Sequence, residues 1–536
     1  MFFVNLSFWV FFSFVFAVFS VIYKRLTLRN LFIFLVSVFF YYKTSGLFFI
    51  LFLISIVYDF SIAKAMEKSQ SEKIRKALVS TSVILNLGLL IYFHSAYFFT
   101  ESVNEIFHTH YKMINYFVSW TSHSSNSHFD INRIILPAGL SFHTFQTISY
   151  TVDVYRRKIK PLNNIFDFGF FIMFFPHLVL GPIAKPSQFI PQMKKQYSLS
   201  QYQFGLALFM ILTGLIKKLL VGDYMATNFI DKIFGNPLLF TGFENLMAVI
   251  GYSMQVYLDF SGYTDIGTGI ALLLGFKLGL NFNSPYKAKN TAEFWKRWHI
   301  SLSSWLQSYL YIPIGGNRSG SWVSYLLISL LTIVLSILLH AYWFIGLMAA
   351  LTVVFIVLGK VFPSFRNAVN TNINLMVTML IGGFWHGATL NFLIWGGLNG
   401  LGLVFYKFWR KISPYEKIKT WPVHAWKVFI TFMFISFTRI YFRTEDMAQA
   451  KEVIDKLFYD LKFSVAWPVI SNMWEVFTLM LIAFVIHWLP SSLKWQYKKL
   501  FIRSHVVVKI LAVVCTVFII YQGMSSESKP FIYFQF

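Results

Sequence analysis

The feature that most constrains this chain is the spacing of its charges. No Lys, Arg, Asp or Glu falls between Arg366 and Lys407, and the segments 321–340 and 342–361 are equally clean. A helix crosses a bilayer with about 20 consecutive apolar residues, so the first run alone holds roughly two crossings. Only 13% of the 536 residues are charged and 57% are hydrophobic, where soluble domains carry about 25% charged residues. The chain therefore reads as an all-α polytopic membrane protein. No polar stretch is long enough for a separate soluble domain, so residues 1–536 read as one membrane unit.

The net charge of +24 does not point to nucleic acid. Lys and Arg sit in short loops between apolar runs, the pattern that marks cytoplasmic loops, and anionic lipid is their partner. The single Cys515 excludes an internal disulfide and a thiolate metal site. Residues 1–23 lack a basic leader and a small-residue cleavage site, so they read as a retained first span with its N-terminus outside. Spans are expected over 1–23, 30–42 (short), 45–63, 77–99, 134–155, 203–221, 245–276, 424–442, 475–489 and 506–522. The stretch 67–76 is a charged cytoplasmic linker. Residues 100–132, with His108, His110, His123 and His128, read as a solvated outer loop rather than a metal site, since acidic partners at ligand spacing are lacking. Pro176, His177, Gly181 and Pro182 break the run 166–183, which is tolerated only where backbone is buried in protein or lines a cavity. Residues 289–318 mix charge with Trp295 and Trp298 and suggest an amphipathic helix at the interface. Thr444 is placed to cap the helix that follows.

Three polar features carry possible chemistry. His386 lies in GGFWHGA at 382–388, beside Trp385, inside the charge-free run. An imidazole at membrane depth marks a function by default, although one hydrogen-bonded to a neighbouring helix explains the same pattern. His299 follows Lys296 and Arg297 in WKRWH. Asp259 and Asp265 stand in YLDFSGYTD, where a carboxylate either orients an imidazole or neutralises a Lys or Arg; the second reading is favoured for Asp265. Two histidines near neutral pKa can share acid–base work on a hydroxyl. A transporter with His386 in its pathway is the rival from another class.

These residues resemble the membrane-bound O-acyltransferase family, in the branch of alginate and peptidoglycan O-acetyltransferases and the teichoic-acid D-alanyl transferase. The resemblance runs through GLSFHTFQ at 139–146, FFPHLVLGPI at 174–183, 259–265, EFWKRWHISL at 293–302, YLYIPIGGNR at 309–318, 382–387 and 437–443, most of a core over about 135–445. It implies a ring of roughly 11–13 helices around a funnel, with His386 as the essential histidine and His299 as the second. It implies O-acylation, most simply O-acetylation, of an extracytoplasmic polysaccharide. The donor would be a cytoplasmic thioester such as acetyl-CoA, and a separate esterase-like (SGNH-type) protein outside would complete transfer. An enzyme of the same fold acylating a lipid or a protein is the alternative. Lys296 and Arg297 would stand near the donor mouth, with Asp259 and Trp385 in support, and no resident metal or cofactor is expected. Two positions depart from the pattern: Gln307-Ser308 replaces an Arg-Asp pair, and Asn399 replaces a second histidine.

The tail 523–536 follows a span preceded by Lys494, Lys498, Lys499 and Arg503, which places it outside. Its last six residues are mostly aromatic or apolar. It resembles the C-terminal aromatic motif of a small partner peptide of the D-alanylation system, so Tyr533 is expected either to relay an acyl group or to anchor at the interface. The expected location is the inner (plasma) membrane.

Overall fold

The computed structural model describes residues 2–112, 137–178 and 181–523. Among these the chain is 81% helical without a strand. The first four helices are α1 (Leu6–Ile22), α2 (Leu26–Ser45), α3 (Phe49–Lys68) and α4 (Glu72–Phe107). Then come α5 (Leu140–Tyr155), α6 (Ile165–Met173), α7 (Gln201–Leu215) and α8 (Gly242–Leu273). Two short helices, α9 (Thr291–Arg297) and α10 (Ile300–Leu306), lead into α11 (Trp322–Leu338) and α12 (Trp343–Val361). The next pair is α13 (Pro363–His386) and α14 (Leu390–Ile412), followed by α15 (Trp421–Arg443) and α16 (Met447–Tyr459). The chain ends in α17 (Trp474–Trp488), α18 (Ser491–Arg503) and α19 (Val506–Gly523).

Among the described residues, five helical stretches are long and apolar enough to cross a membrane alone, or up to seven if two bent pairs each count as one span. They include α4, α12 and α15, the α2–α3 unit and α7 with its continuation to Gly235. The protein is thus a multi-pass, all-helical membrane protein. Its core is largely aromatic. Phe8, Phe12 and Phe19 of α1 are buried on one stripe, and Phe168, Phe170, Phe171, Phe174 and Phe175 are fully enclosed. Rings packed edge-on gain their quadrupole contacts beyond the area they bury.

Two buried polar clusters inside the bundle pair their charges and donors, as a medium without water favours. Asp59 of α3 accepts from Ser82 at 2.5 Å, Asn86 at 2.9 Å and Ser55 at 3.1 Å, and Ser55 also meets His143 Nε2 at 3.0 Å. This buried cluster ties α3, α4 and α5 together. Lys218, just beyond α7, lies 2.7 Å from both Asp223 and Asp259, and Lys217 pairs with Asp265 at 2.6 Å.

Several boundaries differ from expectation. The second helix is not short, since α2 has 20 residues and a 3-10 turn at Gly46–Phe48 joins it to α3. The charged linker shrinks to a break at Ser69–Ser71, where Ser71 accepts from Ile74 N and caps α4. That helix runs on through the polar segment to Phe107 and ends at His108, which is left-handed and donates its backbone N–H to the Asn104 carbonyl. The segment 289–318 is not an interfacial helix. Phe294, Trp298 and His299 are buried, so its aromatics pack inward and the helix breaks in two. The cap of α16 is Asp446, accepting from Gln449 N at 2.8 Å, whereas Thr444 closes the end of α15 onto Ile440 O.

Candidate functional site

His386 is the last residue of α13. The hairpin α13–α14 brings it to the centre through missing side chains. A Cβ on Gly383 would meet the Gly396 Cα at 2.9 Å and collide with the Phe392 carbonyl. Small residues at such a crossing let two backbones touch. The imidazole is 7% exposed and sits among aromatic rings, with centroids of Trp385 at 4.7 Å, Trp395 at 5.0 Å and Phe442 at 5.4 Å.

One side of His386 opens onto a cavity of about 290 Å³. Its walls follow α13 from Leu375 to His386 and α14 from Leu403 to Trp395, about 16 Å and 12 Å at a rise of about 1.5 Å per residue. The α9 helix lines it with Trp295 and Lys296. Lys296 is exposed, so an exposed cation and a buried imidazole line the same cavity. Gln307, one of the departures, also lines this cavity.

His299 occupies the break between α9 and α10. Its backbone is left-handed (φ 43°, ψ 54°), a conformation that costs a non-glycine residue roughly 1–2 kcal/mol. Asn281 holds the break, accepting from Ser301 Oγ at 2.5 Å while its carbonyl accepts from Ile300 N at 2.9 Å. The His299 ring is fully buried, edge-on to Phe260 at 4.7 Å and 6.3 Å from the ring of Trp385. Neither of its ring nitrogens has a hydrogen-bond partner among the described residues. His299 does not line the cavity. It lies behind Trp385, within electrostatic reach of His386.

The other expected site residues fall elsewhere. Arg297 donates to Glu293 at 2.8 and 3.0 Å and to the Asn283 carbonyl at 3.1 Å, which turns it away from the cavity that Lys296 lines. Asp259 is bound in the Lys218 pair, one residue from the Phe260 ring that supports His299. Asn399 donates to the Trp395 carbonyl at 2.8 Å and to Thr438 at 3.3 Å, and so fastens α14 to α15. Tyr533 lies outside the described residues. No group of three His, Cys, Asp or Glu among the described residues is placed to hold a metal ion. Sequence reasoning passed over His94 of α4, which meets Phe384 at 6.3 Å, and the enclosed His143. The signal was present, since both are ionisable groups inside apolar helices.

An imidazole walled by aromatic rings and lining an apolar cavity, inside a helical membrane protein, is the frame in which the class of the protein is read. Residues 34–372 match the model of the membrane-bound O-acyltransferase family, and the chain belongs to that family. The match ends before His386. The chain is 31% identical to the peptidoglycan O-acetyltransferase of Helicobacter pylori over 452 residues, 79% of this chain and 73% of that protein. It is 32% identical to the probable alginate O-acetylase of Pseudomonas aeruginosa over 379 residues, 70% of this chain and 59% of that protein. With the teichoic acid D-alanyltransferase of Bacillus subtilis the identity is 27% over 319 residues. The chain thus spans less than two thirds of the alginate relative and nearly three quarters of the peptidoglycan one.

Proposed function

We propose that this protein moves an acetyl group from a cytoplasmic thioester, acetyl-CoA in the simplest case, toward O-acetylation of a cell-envelope polysaccharide. The observation that carries this reading is the cavity joining exposed Lys296 to buried His386. An anionic donor is drawn to the cation at the mouth, and its acyl arm fits an apolar passage that excludes water and so protects the thioester from hydrolysis. At the inner end His386 acts as general base. It takes the proton of an attacking hydroxyl, the oxygen bonds to the acyl carbon, and the thiolate leaves and is protonated from the imidazolium. His299 supports this from behind Trp385. The polysaccharide acceptor follows from the relatives, two of which are named for peptidoglycan and alginate acetylation. An esterase-like partner outside the inner membrane would complete transfer to polymer.

The test is ester-linked acetate on envelope polymers from cells carrying variants at wild-type membrane abundance. His386→Ala should leave less than about 1% of the acetate, since loss of a general base costs roughly 100-fold or more. Lys296→Gln should weaken donor use at low ionic strength and approach wild type at high salt, where the charge is screened. Substantial acetylation by His386→Ala, or a Lys296→Gln effect that ignores salt, counts against the reading.

A further inference from the structure

The helices α11, α12 and α13 carry no carboxylate, since no Asp or Glu falls between Glu293 and Glu416. Basic residues nevertheless stand together at one end of them. Lys360 lies in the last turn of α12 and Arg366 in the first turn of α13, and both are exposed. The stem of Arg366 packs beside Lys360, because a Cβ on Gly359 would meet the Arg366 Cβ at 3.4 Å and its Cγ at 3.6 Å. The α13 helix begins at Pro363, and the unbonded N–H groups of a first turn add positive potential at the same end. Two cations with no acid in the helices that hold them are complementary to an anion from outside the chain.

These cations stand at one end of a groove. It holds about 610 Å³ between α11, α12 and α13, and its walls include Ile328, Ile333, Ile345, Met348, Phe355 and Ile356. Thr352, also in the wall, donates to the Met348 carbonyl of its own helix at 2.8 Å, so its hydroxyl is satisfied without a ligand. Leu351, Val354 and Val357 of α12 are exposed, which opens this side of the bundle to lipid. Along α12 the groove runs from Ile345 to Lys360, about 22 Å at a rise of about 1.5 Å per residue. One leaflet is about 15 Å deep, half of a hydrocarbon core of about 30 Å. An acyl chain hung from a head group at Lys360 therefore has apolar wall beside it through its whole leaflet. The volume decides against a helix as occupant. A helix about 10 Å across and about 22 Å long fills roughly 1,700 Å³, far more than the groove holds.

We propose that this groove binds an anionic phospholipid, with the phosphate between Lys360 and Arg366 and an acyl chain along α12. A guanidinium matches phosphate with two parallel donors, and basic pockets between membrane helices take acidic head groups. The bound lipid joins the α11–α12 hairpin to α13, the helix that ends at His386. The site is independent of the role given to His386.

The test uses full-length protein in neutral detergent, titrated with dioleoyl phosphatidylglycerol or dioleoyl phosphatidylcholine and followed by thermal unfolding. Each basic residue near an acidic head group contributes about fivefold, so the two together should make the apparent affinity for phosphatidylglycerol about 30-fold tighter. Lys360→Gln with Arg366→Gln should bring the two lipids to parity. Lys417→Gln with Lys419→Gln, which removes two cations from the loop after α14, should keep the preference. Ala349→Trp, which fills the groove, should weaken both lipids. Equal binding of the two lipids by the wild-type protein overturns the proposal. So does a preference that survives Lys360→Gln with Arg366→Gln, because surface charge elsewhere then holds the lipid. Glycerophosphoglycerol, the same head group without chains, should not stabilise the protein, and stabilisation equal to that of the lipid overturns the part given to the groove. Unchanged lipid binding by Ala349→Trp together with an altered oligomeric state makes the groove a protein interface and also overturns it.

Discussion

At the residue scale, two neighbouring lysines show how charge inside the bundle is held. Lys218 is 1% exposed and faces two carboxylates, Asp223 and Asp259, each at 2.7 Å. Lys217, its neighbour, keeps 28% of its side chain exposed and has one partner, Asp265. Removing one member of a buried pair strands the other charge and costs about 3–5 kcal/mol, whereas a partly solvated pair contributes about 1 kcal/mol or less. Lys218→Met should therefore lower the thermal unfolding temperature in detergent far more than Lys217→Met. Equal shifts would show that the triad is not strained by its burial. These pairings also explain why the sequence could offer Asp259 only as a candidate. A carboxylate in an apolar helix looks the same whether it serves a histidine or a lysine, and the deciding partner, Lys218, is 41 residues away in another helix.

At the element scale, the hairpin α13–α14 and the broken pair α9–α10 build the cavity, and adjacent glycines on α13 do different work. Gly383 faces α14, where a Cβ has no room. Gly382 faces the cavity, and its Cβ would come no closer than 3.4 Å, to Leu306. Gly383→Ala should thus push the helices apart, at a cost of about 1–3 kcal/mol, and reduce folded protein in the membrane. Gly382→Ala should fold normally, gaining about 0.5–1 kcal/mol of helix propensity. Gly382→Leu should fill the passage beside His386 and block donor use without loss of protein. Protein abundance together with acetate transfer checks the series, and a tolerated Gly383→Ala would contradict the packing. The two crossings of the hairpin were legible from the charge-free run between Arg366 and Lys407. The α9–α10 break was not. Charge mixed with tryptophan suits an interface or a buried turn equally, and only Asn281, reaching back to Ser301 and Ile300, decides for the turn.

At the scale of the whole molecule, the spans were legible because hydrocarbon leaves the backbone no choice, and their ends were less so because polar residues do not stop a helix that has nothing to pack against. We propose an orientation from two ends of different character. One end gathers Lys64 and Lys68, Arg318, Lys360 and Arg366, and Tyr325 donates to Asn370 there at 2.6 Å. The other end joins Glu105, near the end of α4, to His340, between α11 and α12, at 3.6 Å. The positive-inside rule puts the basic end in the cytoplasm. At about 1.5 Å per residue, α13 rises about 30 Å from Arg366 to His386, close to the thickness of a hydrocarbon core. We propose from this that His386 lies toward the outer side and that a cytoplasmic donor reaches it past Lys296. Cysteine labelling tests this directly, because Cys515 is the single cysteine and Cys515→Ser gives a blank background. In that background His110→Cys, beyond α4, should react with a membrane-impermeant maleimide on intact spheroplasts. Gln70→Cys, in the break before α4, should react only after permeabilisation. The reverse pattern would turn the protein over, place Lys296 on the polymer side and remove the route by which a cytoplasmic thioester reaches His386.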